Sequence, residues 1–146
     1  HIFSTFVSYS YVGTRTFRHW VGTNNFVHLN KPLGWQNGSD GDEFKFGFNY
    51  FNQENIIGTV SCAFIRVGDE TITGRPYLGY TDYSKEVFPS GTVNELTRLE
   101  TFFQWWYKRN SSIFIRLSHT SKSTKNQTGI KILIGFDFYL PTMIGI

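Results

Sequence analysis

The sequence predicts an all-β fold: an antiparallel up-and-down transmembrane β-barrel segment of about six strands, part of a larger barrel. Three observations predict it. Apolar and polar residues alternate with a period of two over long stretches, short and long connections alternate along the chain, and aromatic clusters recur at one set of strand ends. Successive side chains of a strand point to opposite faces, so such alternation gives one apolar and one polar face.

Composition narrows the alternatives first. The chain has 146 residues, which suits one domain spanning 1–146, and it is 40% hydrophobic, 18% aromatic and only 17% charged. Fifteen Phe, eight Tyr and four Trp exclude a disordered chain, and a single cysteine, Cys62, excludes an internal disulfide framework. No apolar run approaches the ~20 residues of a membrane-spanning helix. The net charge of +3 is dispersed, without the Lys/Arg clusters that a nucleic-acid partner requires. The chain begins at His1, as expected of a processed protein or a piece of a longer one.

The elements follow in order. Residues 2–12 place Phe3, Val7, Tyr9 and Tyr11 against Ser4, Ser8 and Ser10, a strand whose facing is open. A long connection follows, near 13–42. Phe44, Phe46, Phe48 and Tyr50 then oppose Lys45, Gly47 and Asn49. After the short Asn52-Gln53-Glu54-Asn55 connection comes a β-rich stretch at 56–67, in which Cys62 beside Val60 and Phe64 reads as buried and unreactive. A second long connection covers 68–92. Residues 93–108 fit two periods: Thr92 and Glu95 form a capping-box pattern ahead of a Val93, Leu96, Leu99, Phe103, Trp106 stripe, while Thr101, Phe103, Trp105 and Tyr107 alternate with Glu100, Gln104 and Lys108. The aromatic and Thr content favours a strand. Ile113, Ile115 and Leu117 mark the next strand, about 112–119. Ile130, Ile132, Ile134, Phe136, Phe138 and Leu140 then share a face opposite Lys131, Gly135 and Asp137, a span that matches the ~9–11 residues a tilted strand needs to cross a bilayer.

Connection lengths support this order. The connections at 52–55 and 109–111 are short, those near 13–42 and 68–92 are long and that at 120–127 is of medium length, as in outer-membrane barrels with short periplasmic turns and longer extracellular loops. A helix at 93–108 would break that parity. Tyr50 and Phe51, Trp105 to Tyr107, and Phe138 with Tyr139 all fall at expected periplasmic ends, where an aromatic girdle belongs. On this register Arg66, Arg98, Glu100, Arg116, Lys131 and Asp137 face the interior. Common small barrels close with eight strands, and open edges in lipid cost several kcal/mol per unsatisfied group. Six strands therefore imply a larger barrel, with this chain its C-terminal part, or assembly with other chains.

No nucleophile elbow, P-loop, dinucleotide glycine motif or HExxH is present, so no enzyme and no cofactor is expected. Asp40, Asp42 and Glu43, with Asn37 near them, offer hard oxygen ligands on a turn, weak candidates for a metal because Asn-Gly and Asp-Gly pairs are ordinary turn formers. His19 and His28 lack a third ligand at diagnostic spacing and read as structural. Trp20 and Trp35 suit either stacking on sugar rings or packing the loop onto the rim. Arg75, Tyr77, Tyr80 and Tyr83, with Asp82 and Lys85, make the second long loop a candidate polar recognition surface.

The run His28-Leu29-Asn30-Lys31-Pro32-Leu33-Gly34, then Gly38-Ser39-Asp40-Gly41-Asp42-Glu43-Phe44, and Arg66-Val67-Gly68-Asp69-Glu70 resemble the capsule assembly proteins of the Wzi type. The resemblance implies a bacterial outer-membrane barrel that binds or organises surface (capsular) polysaccharide, with outer-membrane lipid and other outer-membrane or periplasmic proteins as partners. Two alternatives stay open: a passive outer-membrane pore or transporter, and a soluble β-sandwich carbohydrate-binding module.

Overall fold

The computed structural model describes residues 1–17, 26–29, 31–70, 87–123 and 127–138. Among these residues the chain is all-β. Its strands are β1 (Ile2–Val12), β2 (Val27–His28), β3 (Lys31–Pro32), β4 (Gly41–Phe51), β5 (Ile56–Val67), β6 (Asn94–Lys108), β7 (Ser111–Lys122) and β8 (Gln127–Phe138). Six of them form one open antiparallel sheet in the order β1-β4-β5-β6-β7-β8, and β2 pairs with β3 in a small hairpin on the first long connection. Each long strand pairs with the next one in sequence, so every strand order choice is local. Residues 94–108 form a strand, β6, as the alternation and parity require.

Pairing fixes the faces. One row of cross-strand partners runs Thr5, Phe48, Val60, Thr101, Leu117, Ile132, and the next runs Phe3, Tyr50, Gly58, Phe103, Ile115, Ile134. These rows belong to an apolar face. On the opposite face Asn49 meets Ser4 and Thr59, Ser61 meets Glu100, and Ser118 meets Lys131. The uncertain facing of residues 2–12 and 56–67 is settled by this register: Phe3, Val7 and Tyr9 lie with Val60, Cys62 and Phe64. Cys62 is half-buried on the apolar face, not fully buried.

The expected connections shift at two points. β4 begins at Gly41, so Asp42 and Glu43 lie inside the strand and not on the loop. Arg66 corrects the expected register: it pairs with Asp42 and Glu95 on the apolar side, while Arg98, Glu100, Arg116, Lys131 and Asp137 take the polar face. At the end of β5 both Ile65 and Arg66 fit the mixed two-residue period, and the pairing with Asp42 puts Arg66 on the apolar side.

Both short turns lie at one end of the sheet and both long connections at the other. Asn52 shapes the first short turn. Its Oδ1 accepts hydrogen bonds from the backbone N–H groups of Glu54 (3.0 Å), Asn55 (2.9 Å) and Ile56 (2.8 Å), the self-bonding that makes Asn a turn former. At this end Phe3, Tyr50, Trp105 and Phe138 lie on the apolar face, with Tyr107 against Trp105 at 6.2 Å between ring centroids. Phe51 and Trp106 point to the other face, so only part of the first two aromatic clusters is outward; Tyr139 and Leu140 lie outside the described residues.

Burial is unusual for a sheet of this size. Among the described residues the buried apolar side chains are Val12, Ala63 and Ile65, all on the polar face toward the loop end. On the apolar face Phe3 is 77% exposed, Ile130 73%, Phe136 70% and Phe138 74%. Among the described residues no second layer covers it. Globular sheets bury one face against another layer; here the face that should be core is open.

Candidate functional site

The loop end of the polar face is built around one carboxylate. Asp40 is fully buried, with φ of 62°, a left-handed conformation that a non-glycine residue adopts at some cost. Its side chain accepts hydrogen bonds from Thr14 Oγ1 (2.9 Å), the Glu70 N–H (3.1 Å), the Ser90 N–H (3.0 Å) and Ser90 Oγ (2.5 Å). Its backbone carbonyl accepts from the Gly68 N–H at 2.8 Å. Four chain segments, at the ends of β1, β4, β5 and β6, thus meet at one residue. Asp40 fastens the roots of both long connections, and a carboxylate with this many donors is a structural acceptor.

That geometry separates the metal candidates. Asp42 lies on the apolar side, where Arg66 donates to it twice, from Nε at 2.9 Å and from Nη2 at 2.6 Å, and Tyr9 Oη donates at 3.0 Å. Glu43 lies on the polar side and accepts from Trp35 Nε1 at 3.2 Å. Asp40, Asp42 and Glu43 therefore serve three different partners and do not converge. His28 is exposed on β2, opposite Lys31.

Trp35 packs the first connection onto the sheet. Its ring covers Gly41, where a Cβ would fall 2.8 Å from the ring carbons, so the close approach needs glycine. Half-buried and tied to Glu43, the ring packs against the start of β4. Gln36 beside it reaches further: its Oε1 accepts from Arg98 Nη1 at 3.0 Å, across to β6. Residues 35–40 thus lie over the polar face. Trp20, Arg75, Tyr77, Tyr80, Tyr83 and His19 lie outside the described residues.

Beneath this loop the polar face carries a charged recess of about 540 Å³ lined by Gln36, Arg98, Glu100, Arg116, Ser118, Thr120 and Lys131, among others. A second recess of about 350 Å³ shares Glu100 and Arg116 with it and adds Lys45, Thr59 and Ser61. Register brings these groups together. Arg98 sits opposite Thr120, Glu100 opposite Ser118, and Ser118 opposite Lys131, on strands about 4.8 Å apart. Lys45 Nζ meets Glu100 Oε2 at 3.3 Å. Arg116 lies over the Phe102 ring at 5.3 Å, a cation–π contact that orients its guanidinium.

Nearer the short turns the polar face closes into a small network. Gln104 Nε2 donates to Ser112 Oγ at 2.8 Å and to Asp137 Oδ2 at 3.1 Å, and Ser112 Oγ donates to the same Asp137 oxygen at 3.2 Å. Asp137 is occupied there, so it does not balance the cations of the recess.

Sequence reasoning placed Arg98, Glu100, Arg116 and Lys131 on one face but assembled no site from them. Their spacing within each strand was legible, and the cross-strand register that gathers them was not. Comparison with protein families, with curated proteins and with solved structures finds no match.

Proposed function

We propose that the chain forms part of the wall of an outer-membrane β-barrel, its apolar face toward lipid and its polar face toward an interior that binds or organises surface polysaccharide. One observation carries the membrane part. From the Tyr9–Phe44–Phe64–Thr97 row to the short-turn end, the apolar face of all six strands bears no Asp, Glu, Lys or Arg up to the Ile56–Trp105 row. Among the described residues charge returns at the two borders: Asp42, Arg66 and Glu95 line up in one row at the loop end, and Lys108 stands in the Phe138 row at the short-turn end.

Dimensions agree with a bilayer. At about 3.3 Å per residue, Ile130 to Phe138 runs about 26 Å along the strand, and a tilt of about 40° leaves about 20 Å of depth. Outer-membrane barrels carry an apolar band of about 25 Å. Backbone groups in that band must be paired, which the inner four strands satisfy on both sides and which β1 and β8 satisfy on one. The outer edges of β1 and β8 then belong to further strands of a larger barrel.

The polysaccharide part rests on the resemblance of residues 28–34, 38–44 and 66–70, and on a polar recess whose hydroxyl, amide and charged groups match a sugar chain. The loop bearing Trp35 and Gln36 lies over the polar face, which favours a filled, binding interior over an open pore. The direct test is binding of purified surface polysaccharide to the full-length protein in detergent micelles. Saturable binding supports the reading. A steady open-channel current in planar bilayers without glycan binding would replace it with the pore.

A further inference from the structure

We propose that the recess on β6, β7 and β8 is an anion site, in which Arg98, Arg116 and Lys131 hold the acidic group of a hydroxyl-rich ligand: a sugar unit carrying a carboxylate or a phosphate. The inference deepens the reading above and rests on it for the carbohydrate; the sign of the charge rests on the recess alone.

The charge balance comes first. Four cations, Lys45, Arg98, Arg116 and Lys131, face this part of the sheet with Glu100 as the single carboxylate lining either recess. Lys45 holds Glu100 in an ion pair at 3.3 Å. Arg98 donates one N–H to the neutral amide of Gln36, leaving the rest of its fork of five donors. Arg116 touches the Phe102 ring. Neither it nor Lys131 meets a carboxylate among the described residues. Asp137 is taken by Gln104 and Ser112, and Glu43 by Trp35.

Arg116 and Lys131 are diagonal neighbours on β7 and β8, and Arg98 lies on β6 two rows from Arg116, so none of the three cations gains a cross-strand partner from another. Arg98, Arg116 and Lys131 share the recess with one carboxylate, Glu100, which Lys45 already holds, so the recess keeps a positive excess that points to a ligand supplying negative charge. Guanidinium groups recognise carboxylate and phosphate in two-point geometry, and Arg116 is already oriented by its ring contact. Ser118 and Thr120, between the cations, both donate and accept, as sugar hydroxyls require. About 540 Å³ lies within the usual range for a small-ligand site. At Gly129, opposite Thr120, a Cβ would meet nothing within 4 Å, so the floor of the recess is open to a ligand there.

The experiment is equilibrium binding to the full-length protein in micelles, with three probes: an oligogalacturonate, a neutral maltooligosaccharide of equal length, and inorganic phosphate. The expected result is binding of the oligogalacturonate over the neutral sugar, weakened by salt. The Arg116→Gln/Lys131→Gln variant should lose at least tenfold in affinity. A Lys108→Gln/Arg109→Gln variant, with the same charge removed at the short-turn end, should stay within twofold. Arg116→Lys, which keeps the charge and loses the fork, should fall between. Phosphate binding lost in the same variant, with no glycan binding, keeps the anion site and removes the polysaccharide reading. Glycan binding unchanged in the Arg116→Gln/Lys131→Gln variant, equal binding of the neutral sugar, or no anion binding at all overturns the inference.

Discussion

Replacing Ile134 by Arg places a guanidinium at the middle of the apolar face. Ile134 is 62% exposed on β8, midway between Ile130 and Phe138, and its row neighbour Ile115 is also exposed. At about 3.3 Å per residue and a tilt of about 40°, it lies about 10 Å from either border of the band. An Arg on the lipid face at that depth costs about 2–4 kcal/mol, roughly a 30- to 900-fold loss in the folding equilibrium. The adjacent Leu133 faces the polar recess, so Leu133→Arg is expected to cost less than about 1 kcal/mol. Position Thr128, at the loop-end border, should tolerate Arg at about 0–1 kcal/mol. The assay is urea-dependent folding of the full-length protein into phospholipid vesicles, with each variant set against wild type. Equal costs at positions 133 and 134, or folding to the same sheet in buffer without lipid, would refute the reasoning.

Three further outcomes follow from named contacts. Asp40→Ala strips the acceptor from Thr14, Glu70 and Ser90, leaving buried donors unpaired at about 1–3 kcal/mol each, so a loss of about 3 kcal/mol or more is expected in urea denaturation, and a smaller one for Asp40→Asn. The two-point Arg66–Asp42 pair sits at the border of the apolar face with Arg66 half-exposed; a double-mutant cycle with Ala should return a coupling of about 1 kcal/mol that shrinks in high salt. Trp35→Phe keeps a ring over Gly41 but deletes the Nε1–H donated to Glu43, and a stability loss of about 1 kcal/mol is expected, with larger loss for Trp35→Ala.

Much of the sheet was legible because its strands are long and alternate cleanly. β4 and β8 could be read from Phe44 to Tyr50 and from Ile130 to Phe138, and the parity of connection lengths decided β6 against a helix that local signals also allowed. Facing failed at Arg66, since Ile65 and Arg66 both suit a mixed strand, and only the pairing of Asp42 with Arg66 decides between them. The start of β4 was missed because Gly41 and Asp42 are turn residues by composition, yet Gly41 serves as the space into which Trp35 packs. Nothing local marks Asp40 as the meeting point of residues 14, 70 and 90; its donors come from positions up to fifty residues away. The cationic recess is of the same kind. Arg98, Arg116 and Lys131 sit on separate strands, and only register makes them neighbours.

The central claim is that one face of this sheet meets lipid and the other does not. Spin labels placed singly at positions 129 to 138 of the full-length protein, with Cys62 replaced by Ser and the protein reconstituted in vesicles, test it most directly. Labels at 130, 132, 134 and 136 are expected to relax strongly with oxygen and weakly with a water-soluble nickel reagent, with oxygen effects greatest near 134. Labels at 131, 133 and 135 should show the reverse. Equal access of both reagents along the strand, or a water-exposed even series, would contradict the account.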